Sequence, residues 1–110
     1  MIWNNTRKRR KRRKKIKRKA TINNMILADT IEKMVSDDYK ERFKAEYEQL
    51  VIRYYGLCNM LEKWDNDTLN FNPTCPRSTY DLQIKAMEDY IAVLEARAVM
   101  EGVDLEEVVM

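Results

Sequence analysis

The apolar positions of this chain fall into three blocks separated by polar stretches, and two of them repeat at a strict heptad period. The longest block runs through Phe43, Tyr47, Leu50, Tyr54, Leu57, Leu61 and Trp64, spaced 4, 3, 4, 3, 4, 3. That spacing predicts a helix from about Tyr39 to Trp64 with one coiled-coil-type seam. Ser36, Asp37 and Asp38 stand ahead of it as caps and as acids at the positive end of the helix dipole. Gly56 interrupts the pattern at a cost of about 1 kcal/mol relative to Ala, which the seam outweighs. A second seam, Tyr80, Ile84, Met87, Ile91, Leu94 and Ala98, is spaced 4, 3, 4, 3, 4. It predicts a second long helix, capped by Ser78 or Thr79 and stopped at Gly102.

Between the two seams, Asp65 to Ser78 is rich in Asn, Asp and Pro and has no helical period, so it reverses the chain. Its Leu69 and Phe71 are expected to fold back over the open end of the hairpin. The third apolar block, Ile26, Leu27, Ile31, Met34 and Val35, predicts a short amphipathic helix over 25–35. Asp29 is its expected cap, with Glu32 completing a capping box. About ten residues do not hold a helix in isolation, so this one must dock.

These elements predict an all-α fold. An antiparallel two-helix hairpin over 36–102 carries coiled-coil-type seams, a short N-terminal helix over 25–35 precedes it, and a tail of mixed apolar and acidic residues follows over 103–110. Two helices do not enclose a core, and Val51, Cys58, Leu82, Val93 and Val99 lie off the seams yet need burial. This surplus reads as a homo-oligomer interface, completed by the short helix of a neighbouring chain. The other solution is a three-helix monomer in which the short helix folds back on its own hairpin.

Charge divides the chain in two. Twelve of the 21 Lys and Arg residues lie within the first 24 positions, where there is no acid. The other nine face all 18 Asp and Glu, so the formal charge of +3 averages a basic arm with a body at −9. An arm of this composition is expected to be disordered when unbound. It reads as a nucleic-acid-binding arm, as a tail folded onto its own acidic body, or as a purine-rich ribosome-binding region read in frame ahead of a start at Met25. The third reading is favoured, because the run has no interleaved aromatics and ends just before a capped helix.

The residue types argue against catalysis. The chain has no His, which removes the commonest general base and any Cys/His zinc site. Cys58 and Cys75 stand in no metal motif and read as free thiols in a reducing cytoplasm. No glycine-rich phosphate loop occurs, and paired acids such as Asp37/Asp38, Asp65/Asp67 and Glu106/Glu107 lie at helix ends or in loops. No enzyme activity, cofactor or metal is expected, and no apolar stretch is long enough to span a membrane. A second stripe on the last helix, Gln83, Met87, Tyr90, Leu94 and Arg97, mixes amide, aromatic and cationic groups beside the apolar seam. With Lys85 nearby, and Arg53 and Tyr55 on the facing helix, it is a candidate ligand site between chains. The bland reading is a solvated flank whose aliphatic stems cover the seam.

The stretches DTIEKM, SDDYKERFKAEYEQL, TLNFNPTCP, LQIKAMEDYIAVLEARA and EGVDL resemble a family of small helical-hairpin proteins of bacteriophages, named for a crAss-like phage member. The resemblance covers Asp29 to Leu105 and includes the inter-helix loop. The family's hairpin is similar to that of the phage sponge proteins that defeat CBASS and Thoeris immunity. Those proteins form oligomers and sequester cyclic oligonucleotides or cyclic ADP-ribose signals without cleaving them. The resemblance implies a phage accessory protein acting in the cytoplasm of the infected bacterial host, with a cyclic nucleotide held between chains. Aromatics would stack on bases and Arg or Lys would bind phosphates. The sponges' binding residues do not map one by one onto this sequence, so Arg53, Tyr55, Lys85, Tyr90 and Arg97 are candidates on chemistry alone. A nucleic-acid-binding protein and a protein–protein adaptor are the alternative functions.

Overall fold

A computed structural model of the chain describes residues 24–105. The arm reading falls on residues outside that range except for Asn24. Three helical elements follow one another: α1, a 3-10 turn over Leu27–Thr30 continuous with an α turn over Ile31–Met34; α2, Tyr39–Asp65; and α3, Arg77–Glu101. The two long helices pack against each other as the expected hairpin. The long dimension of 43 Å corresponds to the length of α2, about 40 Å at 1.5 Å per residue.

The ends of α2 are built from short-range polar groups. Asp38 is the N-cap, its Oδ1 accepting from the Lys40 amide at 2.9 Å, while Ser36 Oγ accepts from the Asp38 amide at 3.0 Å. At the other end Asp67 adopts a left-handed backbone, φ 59°, and the Thr68 amide reaches back to the Lys63 carbonyl at 2.9 Å. This is the helix stop normally given to glycine, and Asp is among the few other residues that tolerate it. α3 ends the same way with Gly102 at φ 73° and the Val103 amide on the Ala98 carbonyl at 2.8 Å. Its start differs from the expectation. Pro76, not Ser78 or Thr79, precedes the first helical residue. Pro76 has an extended backbone and its carbonyl accepts from the Thr79 amide, so no side-chain cap is needed.

The core is the seam between α2 and α3, closed at one end by the segment after α3. Phe43, Tyr47, Leu50, Val51, Leu94, Ala98, Val103 and Leu105 form one buried cluster, with Ile52, Tyr55, Met87 and Ile91 packed against it. Val103 and Leu105 belong to this core, whereas the sequence pattern assigned them to a tail. The left-handed turn at Gly102 is what returns them to α2, where Lys40 Nζ donates to the Gly102 carbonyl at 3.1 Å. At the loop end Trp64 and Tyr80 meet edge to face at 5.9 Å. Arg77 lies over Trp64 and pairs with Asp65 and Asp81. Leu69 is half-buried but Phe71 is exposed, so Phe71 does not cover the hairpin as expected.

α1 docks on α2 of its own chain, and it does so by its polar side. Thr30 and Glu48 are fully buried between the two elements. Lys33 Nζ meets Glu48 Oε2 at 2.7 Å, and Gln49 Nε2 donates to Thr30 Oγ1 at 2.8 Å. The apolar row Ile26, Leu27, Ile31, Met34 and Val35 is left exposed. The capping expectation is corrected too: Asp29 is not the cap but the third residue of the turn, its Oδ2 accepting from the Ile26 amide at 2.9 Å.

Candidate functional site

Two polar edges flank the α2–α3 seam, and both repeat by the heptad. On one edge Lys40 meets the Gly102 carbonyl, the Tyr47 hydroxyl donates to Glu95 Oε2 at 2.6 Å, and the Tyr54 hydroxyl donates to Glu88 Oε2 at 2.7 Å. Each rung is seven residues further along α2 and seven further back along α3. Antiparallel helices sharing a heptad seam put such positions side by side. Burial, the neighbouring Cys58 and the bond to Glu88 together raise the Tyr54 phenol far above its ordinary range.

The other edge carries the candidate site. Its first rung is a closed triad at the open end of the hairpin. The Tyr39 hydroxyl donates to Glu101 Oε1 at 2.6 Å and accepts from Arg97 Nη2 at 2.8 Å, while Arg97 Nε donates to Glu101 Oε2 at 2.9 Å. The guanidinium lies 5.0 Å from the centroid of the Phe43 ring, a cation–π contact that orients it further. The bonds from Tyr39 and Arg97 hold the Glu101 carboxyl below its usual value. The second rung, one heptad on, is the Tyr90 hydroxyl donating to Glu46. The bond to Glu46 raises the Tyr90 phenol, with burial adding to it.

One heptad further on, the same edge reaches Arg53 on α2 and Gln83 on α3. Both side chains are exposed. Neither makes a hydrogen bond or ion pair among the described residues. This position is therefore open, and it offers a guanidinium on α2 and an amide on α3. Such a pair can take two oxygens of a phosphate on Arg53 and a donor–acceptor edge on Gln83. The partly exposed ring of Tyr90 lies between this rung and the triad and offers a face for stacking.

The structure thus groups three of the five candidate residues, Arg53, Tyr90 and Arg97, on one edge. It sets the other two apart. Tyr55 is two residues from Arg53, and residues two apart on a helix do not share a face. Its half-buried ring packs on the core and lies edge to face with Tyr54 at 5.0 Å. Lys85 points away from the edge and holds both oxygens of Asp89 at 2.8 Å. Tyr39 and Glu46 were not singled out from the sequence. Their heptad relation to Arg53 was present there, but the register that sets them opposite Arg97 and Tyr90 was not.

Among the described residues no group of three or more His, Cys, Asp or Glu is arranged to hold a metal ion, and no helix is long and apolar enough to cross a membrane. Neither Cys58 nor Cys75 is in a disulfide. Residues 37–100, the whole hairpin from the cap of α2 to the last turn of α3, match the model of the family described as Sequestin. No curated protein and no solved structure matches the chain.

Proposed function

The chain belongs to the Sequestin family, and from that premise we propose that it works by holding a ligand without transforming it. It is a non-enzymatic accessory protein of a bacteriophage, active as a homo-oligomer in the cytoplasm of the infected host. There it withdraws a cyclic nucleotide immune signal from the host's defence. The observation that supports this reading is the open rung. In a body of net charge −9 a phosphate needs a cation that no carboxylate has neutralised. Arg97, Lys85 and Arg77 are each bound to acids, whereas Arg53 is not. Gln83 and the Tyr90 ring lie on the same edge of the hairpin and offer an amide and an aromatic face to a base. The family's name is that of a sequestering protein, and the match covers the hairpin on which this edge lies.

Calorimetric titration of the purified chain with a panel of cyclic oligonucleotides and cyclic ADP-ribose isomers tests the proposal. Binding of one member is expected, and that ligand should be recovered intact after the protein is denatured. Arg53→Ala should weaken binding at least about tenfold, the equivalent of 1.4 kcal/mol, with α-helical content unchanged. No heat with any member of the panel would end the reading.

A further inference from the structure

α1 is held to the body by its polar side, and this fixes its apolar row outward. Lys33 meets the enclosed Glu48 at 2.7 Å, and Gln49 Nε2 donates to Thr30 Oγ1 at 2.8 Å. Arg42 fastens the link behind α1 by donating to the Ser36 carbonyl at 2.7 Å. The row stays in solvent, with Ile26 63%, Ile31 51% and Val35 70% exposed and Leu27 and Met34 beside them. Turning these side chains inward would take Lys33 away from Glu48 and leave a buried charge unpaired, which is the costlier arrangement.

Two turns of helix offer too little apolar area to hold a second protein. A bilayer asks for less, because a short apolar insertion and a run of cations add their contributions. The chain carries both side by side. Twelve of the thirteen residues from Arg7 to Lys19 are Lys or Arg. Six residues, 20–25, separate Lys19 from Ile26. The end of the run therefore stays within about 25 Å of the row even when that connection is fully extended. The acids of α1 are too few to offset the run: Asp29 is occupied by the Ile26 amide, which leaves Glu32. A ribosome-binding region read in frame has no use for an apolar row beside it, and neither has an arm that binds nucleic acid. An anionic lipid surface uses both.

We propose that α1 and the basic run together dock the protein on the surface of an anionic phospholipid bilayer. The row enters the boundary between headgroups and acyl chains, and the run binds headgroup phosphates. The protein lies on the membrane without crossing it, and among the described residues no helix is long and apolar enough to cross one. The inference does not rest on the ligand reading above, since the edge that carries Arg53 and Tyr90 takes no part in it.

The test is flotation of the full chain with vesicles of phosphatidylcholine containing about one-third phosphatidylglycerol. Binding is expected, at least about tenfold stronger than to phosphatidylcholine alone, and it should fall as salt rises from about 0.1 to 0.5 M. A row variant, Ile26→Ser with Ile31→Ser and Val35→Ser, should bind at least about tenfold more weakly. Its helical content should not change, because all three side chains are exposed. A run variant, Arg9→Gln with Arg10→Gln, Arg12→Gln and Arg13→Gln, should also lose at least about tenfold. No binding to the anionic vesicles, or binding that the row variant retains in full, would overturn the proposal. So would duplex DNA that displaces the chain from the vesicles and binds parent and row variant equally, which would assign the run to nucleic acid. A protein made from its own gene whose intact mass begins at Met25 would overturn it as well, since the run would then be missing.

Discussion

Lys33→Met should unsettle this protein more than any change at Glu48, its partner. Glu48 is fully enclosed, with side-chain exposure of 0%, while Lys33 keeps 32% of its side chain in solvent. One carboxylate oxygen takes the Lys33 ammonium at 2.7 Å, and the other, Oε1, has no hydrogen-bond partner. Removing Lys33 leaves a buried charge with neither oxygen satisfied, a loss of about 3–5 kcal/mol for pairs of this kind. The lower figure applies here because Lys33 is partly solvated. Removing Glu48 instead lets Lys33 turn its head into water, so Glu48→Met should cost about 1 kcal/mol or less. The double variant should lie within about 1 kcal/mol of the parent, because replacing both members of a buried pair with apolar groups is close to neutral.

The chain has one escape from the penalty of Lys33→Met. α1 can detach and expose Glu48, which limits the loss to the free energy that docks α1. Urea denaturation followed by circular dichroism, together with hydrogen exchange at the amides of residues 27–35, reads both routes. Either the midpoint falls by the amount given or protection of α1 is lost while that of α2 and α3 persists. A Lys33→Met variant no less stable than Glu48→Met, with α1 protection intact, would refute the reasoning.

Leu94→Ala removes a side chain with no solvent exposure from the centre of the core and should cost about 3–4 kcal/mol in denaturant titrations. Gly102→Ala meets no close contact but places a Cβ on a backbone at φ +73°. The expected loss is about 1–2 kcal/mol, with faster exchange of the Val103 amide that closes α3. The raised Tyr54 phenol gives the fold an alkaline limit. The unfolded chain loses the Tyr54 proton near the ordinary value of about 10, while the folded chain retains it. Stability is therefore unaffected by this group below that pH and falls above it. A pH series of melting temperatures should show the fall, and Tyr54→Phe should abolish that share of it.

How much was legible in the sequence follows from which interactions are local. The seams of α2 and α3 were readable because a heptad is a property of one helix, and both stop residues lie where the period ends. Asp67 as a left-handed stop was not singled out, since glycine is the usual signal. Val103 and Leu105 were missed because so short a segment has no period, and their burial depends on where the Gly102 turn sends them. The candidate site was half legible. The stripe Gln83, Tyr90, Arg97 was readable on one helix, but its partners Tyr39, Glu46 and Arg53 depend on how α2 and α3 are set against each other. Arg53 and Tyr55 lie on different faces of α2, and Lys85 lies on a different face of α3 from Gln83 and Tyr90, which only the packing of the two helices made visible.

The short helix draws the line most sharply. Its sequence determined that residues near 27–34 form an amphipathic turn unable to stand alone, because propensity and period are intrinsic to the segment. The usual rule then buries the apolar side. Tertiary structure decided otherwise: Glu48 on α2 is enclosed and must be met by a cation, and Lys33 and Thr30 lie on the polar side of α1. Meeting that buried charge turns Ile26, Ile31 and Val35 outward. The sequence by itself therefore determined three amphipathic helices and an acidic, histidine-free body. Which faces meet, which rung stays open and which apolar rows remain bare were decided only by the packing. Leaving a buried charge unpaired costs more than exposing a few aliphatic side chains, and which groups become buried is settled by residues distant in the chain.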